Sequence, residues 1–252
     1  MDEKLLQGQR ILVTGASRGI GKAISTYLLD RGAQVGVHYN QSKDAVSEIT
    51  RTYPLANVLR ADLENAEEVL GLFENALESM GGIDSLVLNA GIFEPHFPDL
   101  SDEDWLAIWR KTIAVNLESA AILTKKAIEH FKSVGGGRLI YIGSRAAFRG
   151  ETEEYLAYAA SKGGLTSLAR SVARSFGKYN ITAFVLAPGF TRTAMAEKFI
   201  QQHGEQKILD EISLPRLTIP EDIAPLAALI CSGKMDHATG TTIDMNAGSY
   251  IH

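Results

Sequence analysis

The 252-residue sequence predicts an α/β fold, a parallel sheet with helices packed on both faces. Three observations carry that prediction. Short apolar, β-branched runs alternate with amphipathic helical patterns along the whole chain. The first run, Ile11-Leu12-Val13, breaks on glycines and restarts as a helix, as a strand–turn–helix unit does. No linker, internal repeat or low-complexity tract divides the chain, so one domain over residues 1–252 is expected.

Each element has its own signal. Thr14 ends the first strand, and Gly15, Gly19 and Gly21 punctuate the turn into a helix that Gly32-Ala33 stops. Gln34 to Tyr39 reads as the second strand. A polar linker then leads into a helix over Asp44 to Thr52. Asn57 to Arg60 is a short third strand. Glu64 to Met80 is an amphipathic helix ended by Gly81-Gly82. Ser85 to Asn89 is the fourth strand, followed by a loop whose Pro95 and Pro98 forbid helix. Ser101, with Asp102, Glu103 and Asp104 behind it, caps a long continuous helix reaching about Phe131. Three glycines, 135 to 137, precede the fifth strand, Arg138 to Ser144. A second long helix follows, from about Tyr155 to Phe176. Ile181 to Gly189 is strand six, two short helices surround 195 to 212, a helix runs from Pro220 to Cys231, and Thr241 to Asn246 is strand seven.

Composition excludes several function classes. The net charge of −5 without a basic block argues against nucleic acid. No apolar run is long enough for a membrane span, and the acidic start MDEKLLQGQ is not a signal peptide, so a cytoplasmic protein is expected. The one cysteine, Cys231, excludes an intrachain disulfide and sits in an apolar helical pattern that reads as packing. The six histidines are dispersed, with no metal-ligand spacing, and no metal site is expected.

Four features carry chemistry. The glycine turn puts free backbone N–H groups and the positive end of a helix dipole together, which suits a pyrophosphate. Its spacing, G-x3-G-x-G, differs from the general dinucleotide fingerprint. Asn89-Ala90-Gly91 ends strand four, where open α/β sheets bind ligands. Ser144 ends strand five. Tyr158 and Lys162 lie one helical turn apart on one face. An ammonium within about 4–6 Å of a phenol is expected to lower its pKa into the range useful for proton transfer.

These motifs together resemble the classical short-chain dehydrogenase/reductases over about Leu6 to Gly248. The matching residues are Thr14-Gly15-Ala16-Ser17-Arg18-Gly19-Ile20-Gly21, Asn89-Ala90-Gly91, Asn116, Ser144, Tyr158 with Lys162, and Pro188-Gly189 with Thr191. The general likeness is greatest to 3-oxoacyl-carrier-protein reductases. The resemblance implies a doubly wound Rossmann-type domain with a seven-stranded parallel sheet, a nicotinamide cofactor, and a tetramer or dimer paired through the two long helices. It implies that Tyr158 exchanges a proton with the carbonyl or alcohol oxygen. Lys162 holds the nicotinamide ribose, Ser144 polarises the carbonyl, and Asn116 holds a relay water. Cofactor contacts are implied for Gly15, Ser17, Arg18, Gly19, Ile20, Gly21, Tyr39, Asn40, Ser42, Asp62, Leu63, Asn89, Ala90, Gly91, Tyr158, Lys162, Pro188, Gly189 and Thr191.

Strand two ends on Tyr39-Asn40-Gln41-Ser42, with no acid to grip a ribose 2′-OH, while Arg18 is suited to a 2′-phosphate. NADP(H) is therefore expected over NAD(H). The chain departs from the family at Leu88, at Asn246-Ala247-Gly248, and in a slightly long, glutamate-bearing segment between Ser144 and Tyr158. The substrate pocket falls to Ile92–Phe97, Arg145–Tyr155 and a lid at about 190–214. A carrier-bound 3-oxoacyl thioester, a small ketone, a sugar and a polyol all stay open, as does a catalytically silent dinucleotide sensor. Glu151, Glu153 and Glu154 do not favour an acidic carrier protein.

Overall fold

The computed structural model describes residues 4–251; the expected limits at residues 1–3 and 252 lie outside it. Its strands are β1 (Arg10–Val13), β2 (Gln34–Tyr39), β3 (Ala56–Arg60), β4 (Ser85–Leu88), β5 (Gly137–Ile142), β6 (Ile181–Pro188) and β7 (Thr242–Met245). They form one seven-stranded sheet in the order β3-β2-β1-β4-β5-β6-β7, and every pairing is parallel. The order reverses between β1 and β4, which opens a crevice at their carboxyl ends.

The helices are α1 (Gly19–Leu29), α2 (Lys43–Thr52), α3 (Ala66–Met80), α4 (Asp102–Ile113), α5 (Ser119–Val134), α6 (Ala146–Arg149), α7 (Leu156–Phe176), α8 (Ala194–His203), α9 (Glu205–Leu209) and α10 (Pro220–Cys231). Strand residues alternate strictly between two cores. Ile11, Val13, Val87, Ile140, Ile142, Phe184 and Leu186 face the side of α1 and α10. Leu12, Leu86, Leu88, Leu139, Tyr141, Ala183 and Val185 face α3, α5 and α7. Burial on both faces is why these strands read as unbroken apolar runs and not as alternating ones.

The caps explain where helices start and stop. Asn65 accepts from the Glu67 and Glu68 N–H groups, so α3 begins two residues later than Glu64. Gly81, at φ 71°, ends it. Ser101 Oγ accepts from the Asp104 N–H at 3.1 Å and starts α4, as its sequence position predicts. The long helix expected over about 102 to 131 is interrupted. Residues Ala114–Glu118 form a π-helical turn between α4 and α5. The wider turn adds a residue to the helical repeat, and Asn116 lies within it.

No helix among the described residues is long and apolar enough to cross a membrane. Cys231 is buried in α10, and burial pushes its thiol up to about 12, in line with a packing residue.

Candidate active site

The glycine turn is held from both sides. Toward β4, Thr14 Oγ1 accepts from the Asn89 and Ala90 N–H groups at 2.9 and 3.0 Å. Asn89 Nδ2 donates to the carbonyls of Thr14 and Gly15 at 2.8 and 3.1 Å. Toward β2, His38 Nδ1 accepts from the Gly15 N–H at 3.0 Å, and Nε2 lies 3.1 Å from the Ala61 carbonyl. With a carbonyl at one nitrogen and an N–H at the other, the ring is neutral and carries its proton on Nε2. Burial lowers its pKa to about 4, against smaller opposing effects of the Ala61 bond and Asp62. A histidine inside an apolar strand thus sets the turn, although its sequence position reads as one of several dispersed histidines.

This geometry fits a dinucleotide. Gly15 and Gly19 have φ of +64° and +52°, in the left-handed region that favours glycine. Gly21 packs so closely that a Cβ there would collide with the Gly15 carbonyl and the Asn89 amide. Arg18, at the start of α1, leaves the first-turn N–H groups without a side-chain cap, and its exposed side chain makes no ion pair among the described residues. The end of β2 offers no carboxylate: Tyr39 is packed in the core, followed by Asn40 and the exposed Ser42. Ser17 and Ile20 are half-buried along the turn. At the end of β3, Asp62 accepts from the Glu64 N–H, while the Leu63 side chain is buried beneath.

The proposed chemistry converges across the crevice. Ser144, just past β5, is within hydrogen-bonding reach of the Tyr158 phenol, and its Oγ also accepts from the Ala146 N–H at 3.1 Å. Lys162 is buried, and its Nζ donates to the Ile142 carbonyl at 2.8 Å, 5.7 Å from the Tyr158 ring centroid. Gly91 lies open beside them; a Cβ there would sit 3.4 Å from Asn116 Oδ1 and 3.5 Å from Lys162 Nζ. Asn116 itself clamps the loop after β4. Its Oδ1 accepts from the Ile92 N–H and its Nδ2 donates to the Ile92 carbonyl, at 2.8 and 3.0 Å, and to Ser161 Oγ at 3.2 Å. Pro188 ends β6, the Gly189 N–H donates to the Met245 carbonyl at 3.1 Å, and Thr191 bridges to Thr218.

One electrostatic expectation is corrected. Burial, not Lys162, is the largest influence on the phenol. Burial raises the Tyr158 pKa, with Glu151 adding to the rise and only the Ser144 bond opposing it. Burial also lowers Lys162, to about 8. Lys162 is buried and Tyr158 half-buried, and desolvation is the largest influence on each.

Within the segments expected to line the pocket, the structure shows contacts that the sequence does not specify. Phe93 stacks on Tyr155 at 3.7 Å between centroids and meets the Tyr158 ring edge-on at 4.8 Å. His96, fully buried, accepts from the Ala157 N–H at 3.2 Å and so fastens the 92–97 loop to the start of α7. Arg145 and Arg149 face Glu211, which follows α9.

A glycine-turned, doubly wound sheet with a serine, a tyrosine and a lysine at the mouth of its crevice defines a dinucleotide-dependent oxidoreductase. Residues 15–250 match the family model described as Enoyl-(Acyl carrier protein) reductase. A 3-oxoacyl-(acyl-carrier-protein) reductase FabG of Aquifex aeolicus is 31% identical over 250 residues, 97% of this chain and 98% of that protein. Among solved structures, a short chain dehydrogenase from Burkholderia cenocepacia in complex with NADP matches with TM-score 0.88 and 30% identity, over 97% of this chain and 98% of that one. A 7 alpha-hydroxysteroid dehydrogenase complexed with NADH and 7-oxo glycochenodeoxycholic acid matches with TM-score 0.90 and 30% identity, over 98% and 96%. The chain belongs to the short-chain dehydrogenase/reductase family and is an NAD(P)-dependent oxidoreductase.

Proposed function

We propose that this protein is an NADP(H)-dependent carbonyl reductase or alcohol dehydrogenase in which Tyr158, Lys162, Ser144 and Asn116 do the work. The observation that carries the reading is the Ser144–Tyr158 contact at the mouth of the crevice, with Lys162 behind it. The bound nicotinamide supplies or accepts the hydride. Tyr158 gives its proton to the carbonyl oxygen in reduction and takes it back in oxidation. Ser144 donates a hydrogen bond to the same oxygen and orients it. Lys162, anchored on the Ile142 carbonyl, holds the nicotinamide ribose, and Asn116 fixes the Ile92 segment and a relay water beside Gly91.

The turn from Gly15 through Ser17, Gly19, Ile20 and Gly21 receives the pyrophosphate. Tyr39, Asn40 and Ser42 flank the adenosine ribose, and Asp62 and Leu63 flank the adenine. Asn89, Ala90 and Gly91 floor the site, and Pro188, Gly189 and Thr191 face the carboxamide. Arg18 pairs with the 2′-phosphate, which supports NADP(H) over NAD(H). The segment at about 190–214 acts as the substrate lid. The protein works in the cytoplasm as a tetramer or dimer. Leu106 on α4, Val134 on α5 and Leu156 on α7 are exposed apolar residues that support pairing through the long helices.

Steady-state oxidation of NADPH and NADH with a panel of activated ketones tests the reading. Tyr158→Phe is expected to bind NADPH with nearly wild-type affinity and to lose turnover by about a thousandfold or more. Full activity in that variant overturns the assignment. Equal kcat/KM with both cofactors overturns the preference for NADP(H).

A further inference from the structure

Directly after Ser144 the chain carries Arg145, whose side chain is only 9% exposed. Its Nη1 is buried and has no hydrogen-bond partner among the described residues. Its Nη2 stands 3.6 Å from Glu211 Oε2, and Arg149, one turn along α6, stands 3.9 Å from the same oxygen. The other Arg149 contact, to Glu151, is 4.0 Å. All three distances are longer than an ordinary hydrogen bond, so Glu211 holds Arg145 only loosely. Other arginines of this chain close properly on carboxylates: Arg10 on Asp84 at 2.7 Å, Arg138 on Asp236 at 2.8 Å, and Arg216 on Asp222 at 2.6 Å. A buried guanidinium with an unmet N–H is costly, and a ligand that reached it would recover that cost.

The surroundings say what that ligand is. Arg145 directly follows Ser144 in the chain, and Arg149 stands 4.0 Å from Glu151, whose charge also acts on the Tyr158 phenol, so the two arginines flank the reacting end of the pocket. Phe93 and Tyr155 form an apolar wall beside the phenol. Two carboxylates loosely face the two arginines, the half-buried Glu151 beside Arg149 and Glu211, whose side chain is 51% exposed and is the more easily displaced. We propose that Arg145, backed by Arg149, receives a carboxylate of the substrate, so that the enzyme acts on oxo acids or hydroxy acids, with Glu211 as a placeholder that the substrate displaces. A carboxylate matches the fork of a guanidinium with two parallel bonds and replaces Glu211 charge for charge. The inference rests on the oxidoreductase reading for the place of the reacting carbon, and on Arg145 for the rest.

Two measurements test it and separate its failure from failure of that reading. Calorimetry with NADP+ present and a panel of oxo and hydroxy acids is expected to show carboxylate binding, weakened about a hundredfold by Arg145→Met. Glu211→Gln is expected to tighten the same binding several-fold, a change that a merely structural counter-ion would not produce. In turnover, the ratio of kcat/KM for an acid to that for its methyl ester should fall about a hundredfold in Arg145→Met. Turnover of neutral ketones, with no binding of any acid or with binding indifferent to both substitutions, overturns the carboxylate assignment and leaves the oxidoreductase reading standing. Acid binding that depends on Arg145, with no turnover of any substrate, supports the assignment and removes the carbonyl-reductase roles proposed for Tyr158 and Ser144.

Discussion

His38 gives the sharpest test of how the cofactor turn is held. Replacing it with asparagine keeps an acceptor near the Nδ1 position for the Gly15 N–H and removes the group that titrates. In the folded protein burial holds His38 at a pKa of about 4, against 6.5 when exposed. The unfolded chain therefore binds the proton more tightly. The stability due to the neutral ring is fully present above pH 6.5 and is lost as the pH falls toward 4. The whole difference is about 3 kcal/mol, of which about 2 kcal/mol is gone by about pH 5. Urea unfolding followed by circular dichroism at about pH 7.5 and about pH 5 reads it directly. Wild type should lose about 2 kcal/mol more than His38→Asn over that interval, because all other titrating groups are common to both proteins. At neutral pH the variant should already be weaker by about 1–2 kcal/mol, since the Ala61 carbonyl loses its partner, and NADPH should bind less tightly. Equal pH losses in the two proteins would refute the reasoning.

Two further substitutions probe the same neighbourhood. Gly21→Ala pushes a methyl group against the Gly15 carbonyl and the Asn89 amide, which must separate. It should cost about 1–3 kcal/mol in unfolding and raise KM for NADPH more than it lowers kcat; an unchanged KM would show that the turn tolerates the opening. Lys162→Met removes a charge that burial penalises, as the fall from 10.5 to about 8 records. The variant should be inactive yet about 1–2 kcal/mol more stable at neutral pH, the gain being limited by the Ile142 carbonyl left without its donor. Wild type should recover that deficit as the pH rises from 8 toward 10.5, because the unfolded chain holds the proton longer; a less stable variant at pH 7 counts against the burial argument.

Most of the architecture is legible because it rests on local signals. Apolar strand cores, glycine stops and the Ser101 cap each act within a few residues, and the structure keeps all of them. The glycine turn and the Tyr158–Lys162 spacing are legible for the same reason, being set by one turn of backbone. What sequence reading misses depends on partners distant along the chain. The π-helical turn at Ala114–Glu118 interrupts a normal helical pattern, and its buried Asn116 is tied to Ile92 and Ser161. His38 matters through Gly15 and Ala61, and His96 through Ala157. The direction of the Tyr158 pKa follows from how the assembled wall shields the phenol, a property of the whole wall and not of the four-residue spacing.

That shielding bears on how the pocket works. A phenol raised by burial stays protonated throughout the neutral range, so the chain by itself holds Tyr158 as a ready proton donor and not as a standing base. The same burial strips solvent from Lys162 and from the unmet face of Arg145, leaving two cations whose best remaining partners are polar groups of bound molecules. Stability is drawn from elsewhere, from the two apolar layers and from ion pairs such as Arg10–Asp84 and Arg138–Asp236, which are remote from the crevice. Substitutions that relieve the pocket should therefore stabilise the fold as they disable it, while substitutions in the layers should do the reverse.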